Sequence, residues 1–310
     1  MKSSINYIFL SMSSFLFFLL TGCVFGEKDK ENKSEQSSVE VKNSISVTLE
    51  QIWETDTTSL ATPECATYDD QKKVFYVSNL NRANEVDNDG YLSIVNPDGS
   101  IKVAKWVEGL TSPLGNAIYN GYLFQNDKDN ILKIDIESGE IVERIQVEGA
   151  NGLNGMTIDE NGNIYSADSG GNKIFKLTPD KEVSVIFEGE ELNRPNGVLV
   201  RGNELLTVSS GGGFLYSIDL ENGQIETLVE GIGQADGIIL IEEGHLLTSS
   251  WKGEVYFISN DMKVQKILDT QDQEINAADI GFIPEENLLV VPTFHDNRLV
   301  AYKVKINKIN

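Results

Sequence analysis

Short apolar runs, each about the length of a β-strand, alternate with polar turns along most of the chain. Three stretches show this pattern most clearly, and each opens on a similar pair, Asn154-Gly155, Asn196-Gly197 or Asp236-Gly237. Each stretch contains four apolar runs, separated by turn residues such as those at Glu160–Gly162 and Glu221–Gly223. The pattern therefore predicts a repeated unit of four β-strands.

The same unit extends in both directions along the chain. Equivalent positions occur at residues 64, 114, 154, 196, 236 and 279, so successive units are 50, 40, 42, 40 and 43 residues apart. This spacing is typical of propeller blades, which repeat every ~40–50 residues. An insertion at Asn81–Asp89 accounts for the longer first spacing.

The two ends of the repeat complement each other. The last unit, Ile280–Lys305, holds three apolar runs, and Val47–Glu54 resembles the fourth strand of the other units. Pairing of this segment with the last unit would close a ring and remove exposed strand edges. A β-sandwich and a solenoid are the alternatives, but the sustained four-strand period and the count of six units favour a ring. We therefore predict an all-β, six-bladed β-propeller of four-stranded blades, with an N-terminal strand completing the last blade.

The N-terminus has the features of an export signal. Lys2 precedes a mostly apolar stretch that ends at Leu20-Thr21-Gly22-Cys23. This order resembles the lipobox of bacterial lipoproteins, in which the cysteine is lipidated and becomes the mature N-terminus. A transmembrane anchor is the alternative, but the stretch is short and broken by serines. We expect a membrane-anchored lipoprotein, and outer-membrane residence in a two-membrane cell, because Val24 rather than Asp follows Cys23.

These features divide the chain into four parts. Residues 1–22 form the predicted lipoprotein signal peptide, and residues 23–45 form a lipidated cysteine with a flexible polar tether too poor in large apolar groups to fold. Residues 46–306 form the propeller, and residues 307–310 form a C-terminal tail.

Charge and cysteine content restrict the chemistry. The chain carries a net charge of −23, and the predicted signal peptide contains one Lys and no acidic residue. A strongly acidic protein is a poor partner for nucleic acid and accommodates a cation, or a neutral or cationic ligand, more easily. We expect a small-molecule substrate or ligand, and a monomer. With Cys23 lipidated, Cys65 has no partner for a disulfide.

The residue that begins each blade points to a metal site. The inner strand of a propeller blade lines the central channel, so these residues meet at one mouth of that channel. They are Glu64, Leu114, Asn154, Asn196, Asp236 and Asp279. Carboxylate and amide oxygens without His or Cys suit a hard divalent cation, Ca²⁺ foremost, with Mg²⁺, Mn²⁺ and Zn²⁺ as alternatives. The alternative interpretation is structural, because Asn-Gly and Asp-Gly are common turn signals.

The order of these motifs resembles the SMP-30/gluconolactonase/LRE-like family of six-bladed propellers, which includes regucalcin. The resemblance spans about residues 46–305 and rests on Glu in blade one, Asn-Gly in blades three and four, and Asp-Gly in blade five. It implies one divalent cation held by Glu64, Asn154, Asn196 and Asp236, with Asp236 as base or nucleophile. Gly152 stands where sugar-lactonase members carry Arg, which argues against an aldonolactone substrate.

The loops between the second and third strands are expected to surround this site. They contain Asp168, Trp251 and His295, which, with Asp279, are candidates for the outer coordination shell or the substrate rim. His295 suits acid–base chemistry beside a metal, but the sequence favours a surface loop position for it. The sequence thus favours a metal-dependent hydrolase of lactones, esters or phosphoesters. The alternative is a non-catalytic propeller that binds a ligand or protein and holds a structural metal.

Overall fold

The computed structural model describes residues 44–81 and 88–309, and in these ranges the protein consists of β-strands, turns and short 3₁₀ helices. The strands in chain order are β1 (Ser44–Glu54), β2 (Pro63–Asp69), β3 (Val74–Asn79), β4 (Gly90–Val95), β5 (Ile101–Leu110), β6 (Pro113–Tyr119), β7 (Tyr122–Asp127), β8 (Asn130–Asp135), β9 (Ile141–Gln146), β10 (Leu153–Ile158), β11 (Ile164–Asp168), β12 (Lys173–Leu177), β13 (Val183–Glu188), β14 (Pro195–Arg201), β15 (Glu204–Ser209), β16 (Phe214–Asp219), β17 (Ile225–Glu230), β18 (Ala235–Leu240), β19 (Leu246–Ser250), β20 (Glu254–Ile258), β21 (Val264–Asp269), β22 (Gly281–Ile283), β23 (Leu288–Pro292) and β24 (Leu299–Ile309). The 3₁₀ helices are Glu190–Leu192, Glu242–Gly244, Gln271–Gln273, Pro284–Glu286 and Phe294–Asp296.

These strands form six antiparallel sheets of four strands, which are the predicted blades. Blades one to five are the consecutive sets β2–β5, β6–β9, β10–β13, β14–β17 and β18–β21. Blade six has the order β22-β23-β24-β1, so a strand from the N-terminal end supplies its outer edge. The six-bladed propeller and its closure by the N-terminal strand are therefore confirmed.

Both strands of the closing pair are longer than predicted: the closing strand begins at Ser44 instead of Val47, and its partner β24 extends to Ile309. Residues 44–54 pair antiparallel with residues 300–309, with Val47 opposite Ile306 and a bulge between Gln51 and Trp53. Strand β24 thus continues through residues 307–309, which the sequence pattern assigns to a tail. Pairing with residues 44–46 satisfies the backbone of this extension, even though Asn307 and Lys308 are polar.

The apolar core is a ring of clusters between neighbouring blades. Six clusters of buried side chains occupy the six junctions, for example Phe75 with Val290 between blades one and six, and Leu247 with Leu289 between blades five and six. The burial of aliphatic and aromatic groups at the junctions leaves the inner strands free to carry polar side chains along the axis.

Several predicted features lie outside the described residues. These are the signal peptide, Cys23 with most of the tether, and residues 82–87 of the blade-one insertion. Within the described ranges, no helix has the length and apolar character needed to cross a membrane.

Candidate metal centre

A break in strand pairing marks the start of the inner strand in blades one to five. The register of the inner strand against the second strand shifts at Pro63/Cys65, Pro113/Asn116, Leu153/Met156, Pro195/Val198 and Ala235/Ile238. The predicted ligand position of each blade lies within the shifted segment. Such bulges redirect a side chain away from the sheet, and they are enriched next to functional sites.

The glycine that follows the ligand position is required by packing between blades. A Cβ atom on Gly155 would lie 2.5 Å from the Asn196 carbonyl oxygen, and one on Gly197 would lie 2.4 Å from that of Asp236. Both distances are below van der Waals contact. The Asn-Gly and Asp-Gly pairs are thus parts of strands, and they are not the turns that the alternative interpretation assigned to them.

The ligand positions of different blades meet in one cavity of about 520 Å³. Glu64, Asn154, Asn196 and Asp236 all line it, together with Leu114 of blade two. Glu64, Asn196 and Asp236 are only 4–5% exposed, and Asn154 is half-buried. The loops between the second and third strands contribute Ser210, Gly211, Trp251 and Phe294, on the face where the sequence placed them.

Each of the four candidate ligands has one buried oxygen with no hydrogen-bond partner among the described residues. These atoms are Glu64 Oε2, Asn154 Oδ1, Asn196 Oδ1 and Asp236 Oδ1. Buried polar atoms normally find a partner, because leaving one unpaired costs about 1–3 kcal/mol. Two carboxylate and two amide oxygens lining one cavity fit a hard divalent cation that would satisfy all four atoms.

Hydrogen bonds on the amide side of the two asparagines help to orient them. Asn154 Nδ2 donates to Ser169 Oγ at 3.3 Å, and Ser169 Oγ donates to the Pro195 carbonyl oxygen at 2.5 Å. The Asn196 side chain is hydrogen-bonded to the Asp236 carboxylate. With the nitrogens engaged in this way, the Oδ1 atoms remain available as ligands.

The electrostatics of the site disfavour unpaired negative charge. Burial raises the pKa of Glu64 well above its usual range, and the charges of Asp236 and Asp279 raise it further. Burial and the charge of Asp279 likewise raise the pKa of Asp236, which the hydrogen bond with Asn196 partly offsets. Among the described residues, no Lys or Arg forms an ion pair with these carboxylates. A bound cation would supply the missing positive charge.

The site differs from metal centres built on acidic and thiolate clusters. Within the described residues, no three His, Cys, Asp or Glu side chains form a group able to hold a metal ion. Amide oxygens of Asn154 and Asn196 make up half of the candidate ligands at this site.

The candidate outer residues separate into two pairs. Trp251 lines the cavity, and Asp279 adjoins it, since its backbone N–H donates to the Glu64 carbonyl oxygen at 2.8 Å. Asp168 and His295 do not line the cavity. Asp168 is buried and accepts from the Asn151 N–H at 2.9 Å, which fixes its loop, whereas His295 is exposed.

Five residues that line the cavity are absent from the sequence-derived candidates: Arg194, Ser210, Gly211, Gln234 and Phe294. Of these, Arg194 and Gln234 each stand two residues before a predicted ligand, Asn196 or Asp236. Gly152 occupies the same position in blade three, so the repeat itself places Arg194 and Gln234 beside the predicted ligands.

The comparisons with known proteins bear on the fold. No family profile matches the sequence, and a search of curated proteins finds no match either. A gluconolactonase from Xanthomonas campestris aligns at a TM-score of 0.63 with 15% identity, covering 80% of this chain and 87% of that one. The protein has a gluconolactonase-like fold.

Other propellers align nearly as well. A catalytically inactive virginiamycin B lyase from Staphylococcus aureus, solved with quinupristin, gives a TM-score of 0.60 at 13% identity, covering 83% of this chain and 99% of that one. A chain of a nidogen–laminin complex gives 0.60 at 18% identity, covering 71% of this chain and 84% of that one. The likeness to gluconolactonase predicted from the motif order is thus confirmed for the fold, which enzymes and a binding protein share.

Proposed function

We propose that the protein is a metal-dependent hydrolase that acts on a lactone, ester or phosphoester. The observation that carries this proposal is the set of four unpartnered oxygens, two of them carboxylate, lining one open cavity. Glu64, Asn154, Asn196 and Asp236 would hold the cation. Their oxygen-only chemistry favours Ca²⁺, with Mg²⁺, Mn²⁺ and Zn²⁺ as the ions to compare.

The bound cation would polarise the substrate oxygen and stabilise the negative charge that develops there. Asp236 would take a proton from water, whose oxygen then bonds to the carbonyl carbon or phosphorus. The bond to the leaving oxygen breaks, and the proton passes from Asp236 to that oxygen. Direct attack by Asp236, followed by hydrolysis of the acyl or phosphoryl enzyme, is the alternative course.

A hydrolysis screen tests this function. The protein, with 1 mM CaCl₂ or with EDTA, is assayed against panels of lactones, aryl esters and phosphoesters. We expect hydrolysis of at least one class that requires the metal and is lost in Asp236→Asn. Metal binding without any such turnover would refute the hydrolase and favour a binding propeller, the class that the nidogen–laminin chain represents.

We also propose that the propeller is attached to a membrane by a lipid on Cys23, in the outer membrane where two membranes exist. The support is the order Leu20-Thr21-Gly22-Cys23 after an apolar stretch, with Val24 following. Fractionation of cells that produce the parent or Cys23→Ser provides the test. We expect the parent with membranes and the variant in the soluble fraction, and a variant that still sediments with membranes would contradict the anchor.

A further inference from the structure

The cavity above the candidate metal centre has two chemically different sides. Leu114, Trp251 and Phe294 line one side, where they pack with Leu80 and Ala278 in a small apolar cluster. The residues contributed by blade four and the start of blade five line the other, and all but one are polar: Arg194, Asn196, Ser210, Gly211 and Gln234. A ligand that fits both sides must itself be apolar at one end and polar at the other.

The apolar side is built around a constrained aromatic pair. The rings of Trp251 and Phe294 meet edge to face with centroids 4.4 Å apart. Phe294 has a φ of +49°, which a bulky side chain rarely adopts, and it is 7% exposed. Strain of this kind is typical of functional sites, because packing alone is better served by an unstrained residue. The backbone of Trp251 is fixed at both ends, since its N–H donates to Gln234 O and its carbonyl accepts from Asn276 Nδ2, each at 2.8 Å.

The polar side presents a cation without a partner. Among the described residues, Arg194 is the only positively charged one that lines the cavity. Its side chain is exposed, and no described residue forms an ion pair with its guanidinium. Its backbone is held by the neighbouring loops: its N–H donates to Asn172 Oδ1 at 2.7 Å, and its carbonyl accepts from the Ser210 N–H at 2.9 Å. Elsewhere the described arginines are paired, for example Arg201 with Glu204 and Arg298 with Asp296. An unpaired guanidinium at a cavity is well suited to an anionic group of a ligand.

We propose that the substrate is an acidic ester or lactone that carries a ring-sized apolar group. The apolar group would contact Trp251 and Phe294, the anionic group would pair with Arg194, and the reacting carbonyl would lie between them near Asp236. This rests on the hydrolase function proposed above and names its substrate class. A sugar lactone fits poorly, because its hydroxyl groups would be unpaired against the apolar side.

Binding of three small probes tests the proposal without requiring turnover. Phenylacetate carries both features, phenylacetamide replaces the charge by a neutral amide, and acetate lacks the ring. Calorimetry on the Ca²⁺-loaded protein should give the tightest binding for phenylacetate, by about tenfold over each of the others. Equal affinity for phenylacetate and phenylacetamide, or for phenylacetate and acetate, would overturn the proposal.

Variants assign the two contacts. Arg194→Gln should weaken phenylacetate about tenfold and leave phenylacetamide unchanged, while Phe294→Leu should weaken both aromatic probes and leave acetate unchanged. Arg201→Gln, which removes a paired arginine away from the cavity, is the matched control and should alter none of the three. If Arg201→Gln lost the preference for phenylacetate over phenylacetamide, or if Arg194→Gln kept it, Arg194 would not be the residue that selects the carboxylate. A protein that discriminates among the probes but hydrolyses nothing would refute the hydrolase while retaining the site.

Discussion

At the scale of single residues, Asp236 combines two candidate roles in one side chain. It contributes a candidate ligand oxygen and the candidate base, and its carboxylate is buried beside Asn196 and Asp279. Asp236→Asn keeps the shape but removes one negative charge and the proton acceptor. We expect metal affinity to fall at least about tenfold and hydrolysis to fall about 10²–10⁴-fold, the usual contribution of a general base. Calorimetry with Ca²⁺ and the hydrolysis screen measure the two effects separately.

Two neighbouring variants separate ligand loss from base loss. Asn196→Ala removes an amide oxygen, so metal affinity should fall, whereas activity should recover at saturating Ca²⁺ because Asp236 remains. Asp279→Asn should have a milder effect on affinity, since Asp279 adjoins the cavity without lining it. If Asp236→Asn binds Ca²⁺ as tightly as the parent, the four side chains do not form a metal centre.

The buried carboxyls also predict how stability depends on pH when metal is removed. Burial raises the pKa of Asp279 to about 6, and burial together with neighbouring charges raises the pKa of Glu64 and Asp236. A carboxyl whose pKa is higher in the folded than in the unfolded protein binds its proton more tightly in the folded state. Its contribution to stability is therefore complete below the unfolded pKa of about 4, and it is lost as the pH rises through the folded-state pKa. In EDTA, the Tm should therefore fall as the pH rises through about 6.

Thermal melts between about pH 5 and 8 give the measurement. Saturating Ca²⁺ should flatten the profile, because it neutralises the same carboxylates, and Asp279→Asn should remove the part of the decrease near pH 6. A Tm in EDTA that stays constant or rises over this range would show that these groups do not carry unpaired charge in the folded protein.

At the scale of the strand, the sequence predicts where each blade begins but cannot explain why. The spacing of equivalent positions locates the inner strands, and the order Glu, Asn, Asn, Asp identifies four side chains that share one cavity. The Asn-Gly pairs are compatible with two interpretations. In one, the pair forms a turn; in the other, Asn is a metal ligand and Gly allows the backbone of the next blade to approach closely. Only the packing of Gly155 and Gly197 against the next blade decides between them.

The rest of the site depends on loops, whose conformations local patterns do not specify. Arg194 and Phe294 both have positive φ values, +64° and +49°, at positions where most non-glycine residues avoid them. Hydrogen bonds from distant segments, such as the one between Arg194 and Asn172, hold these conformations. Propensity rules therefore place both residues in loops without indicating that they face the cavity.

The inter-blade glycines lead to a prediction at this scale. A methyl group on Gly197 would lie 2.4 Å from the Asp236 carbonyl oxygen, so Gly197→Ala must separate blades four and five locally. We expect a loss of about 1–3 kcal/mol in the free energy of unfolding, as for other overpacked interiors, together with weaker Ca²⁺ binding. Denaturant unfolding with and without Ca²⁺ measures both.

Thr227→Ala, in the exposed outer strand of the same blade, is the matched control and should change neither quantity. If Gly197→Ala were as stable and bound Ca²⁺ as well as this control, the close approach would not be required, and the glycine would have to be explained by its turn propensity.

At the scale of the whole molecule, the residues that stabilise the ring and the residues of the candidate site lie in different places. The apolar clusters of the ring lie at the junctions between blades, and the candidate site lies where inner strands meet, so the candidate ligands come from four different blades. Glu64 and Asp236, for example, belong to blades one and five. Their relative position depends on closure of the ring, and closure depends on a strand from the N-terminal end.

Removal of that strand tests closure directly. In β1, Val47 is 2% exposed in the cluster between blades five and six, and its backbone exchanges two hydrogen bonds with the Gln265 side chain at 3.1 and 2.8 Å. A chain that begins at Thr55 loses these contacts and exposes the edge of β24.

Compared with a chain that begins at Ser44, we expect the shortened chain to have a Tm lower by more than about 10 °C, since loss of the strand removes several kcal/mol from a domain of this size. We also expect weaker Ca²⁺ binding and concentration-dependent association through the open edge. A peptide of residues 44–54 added in excess should partly restore the Tm by re-forming the pairing with β24. If the shortened chain melts like the longer one and stays monomeric, the ring is held by blade contacts alone, and the N-terminal strand does not close it.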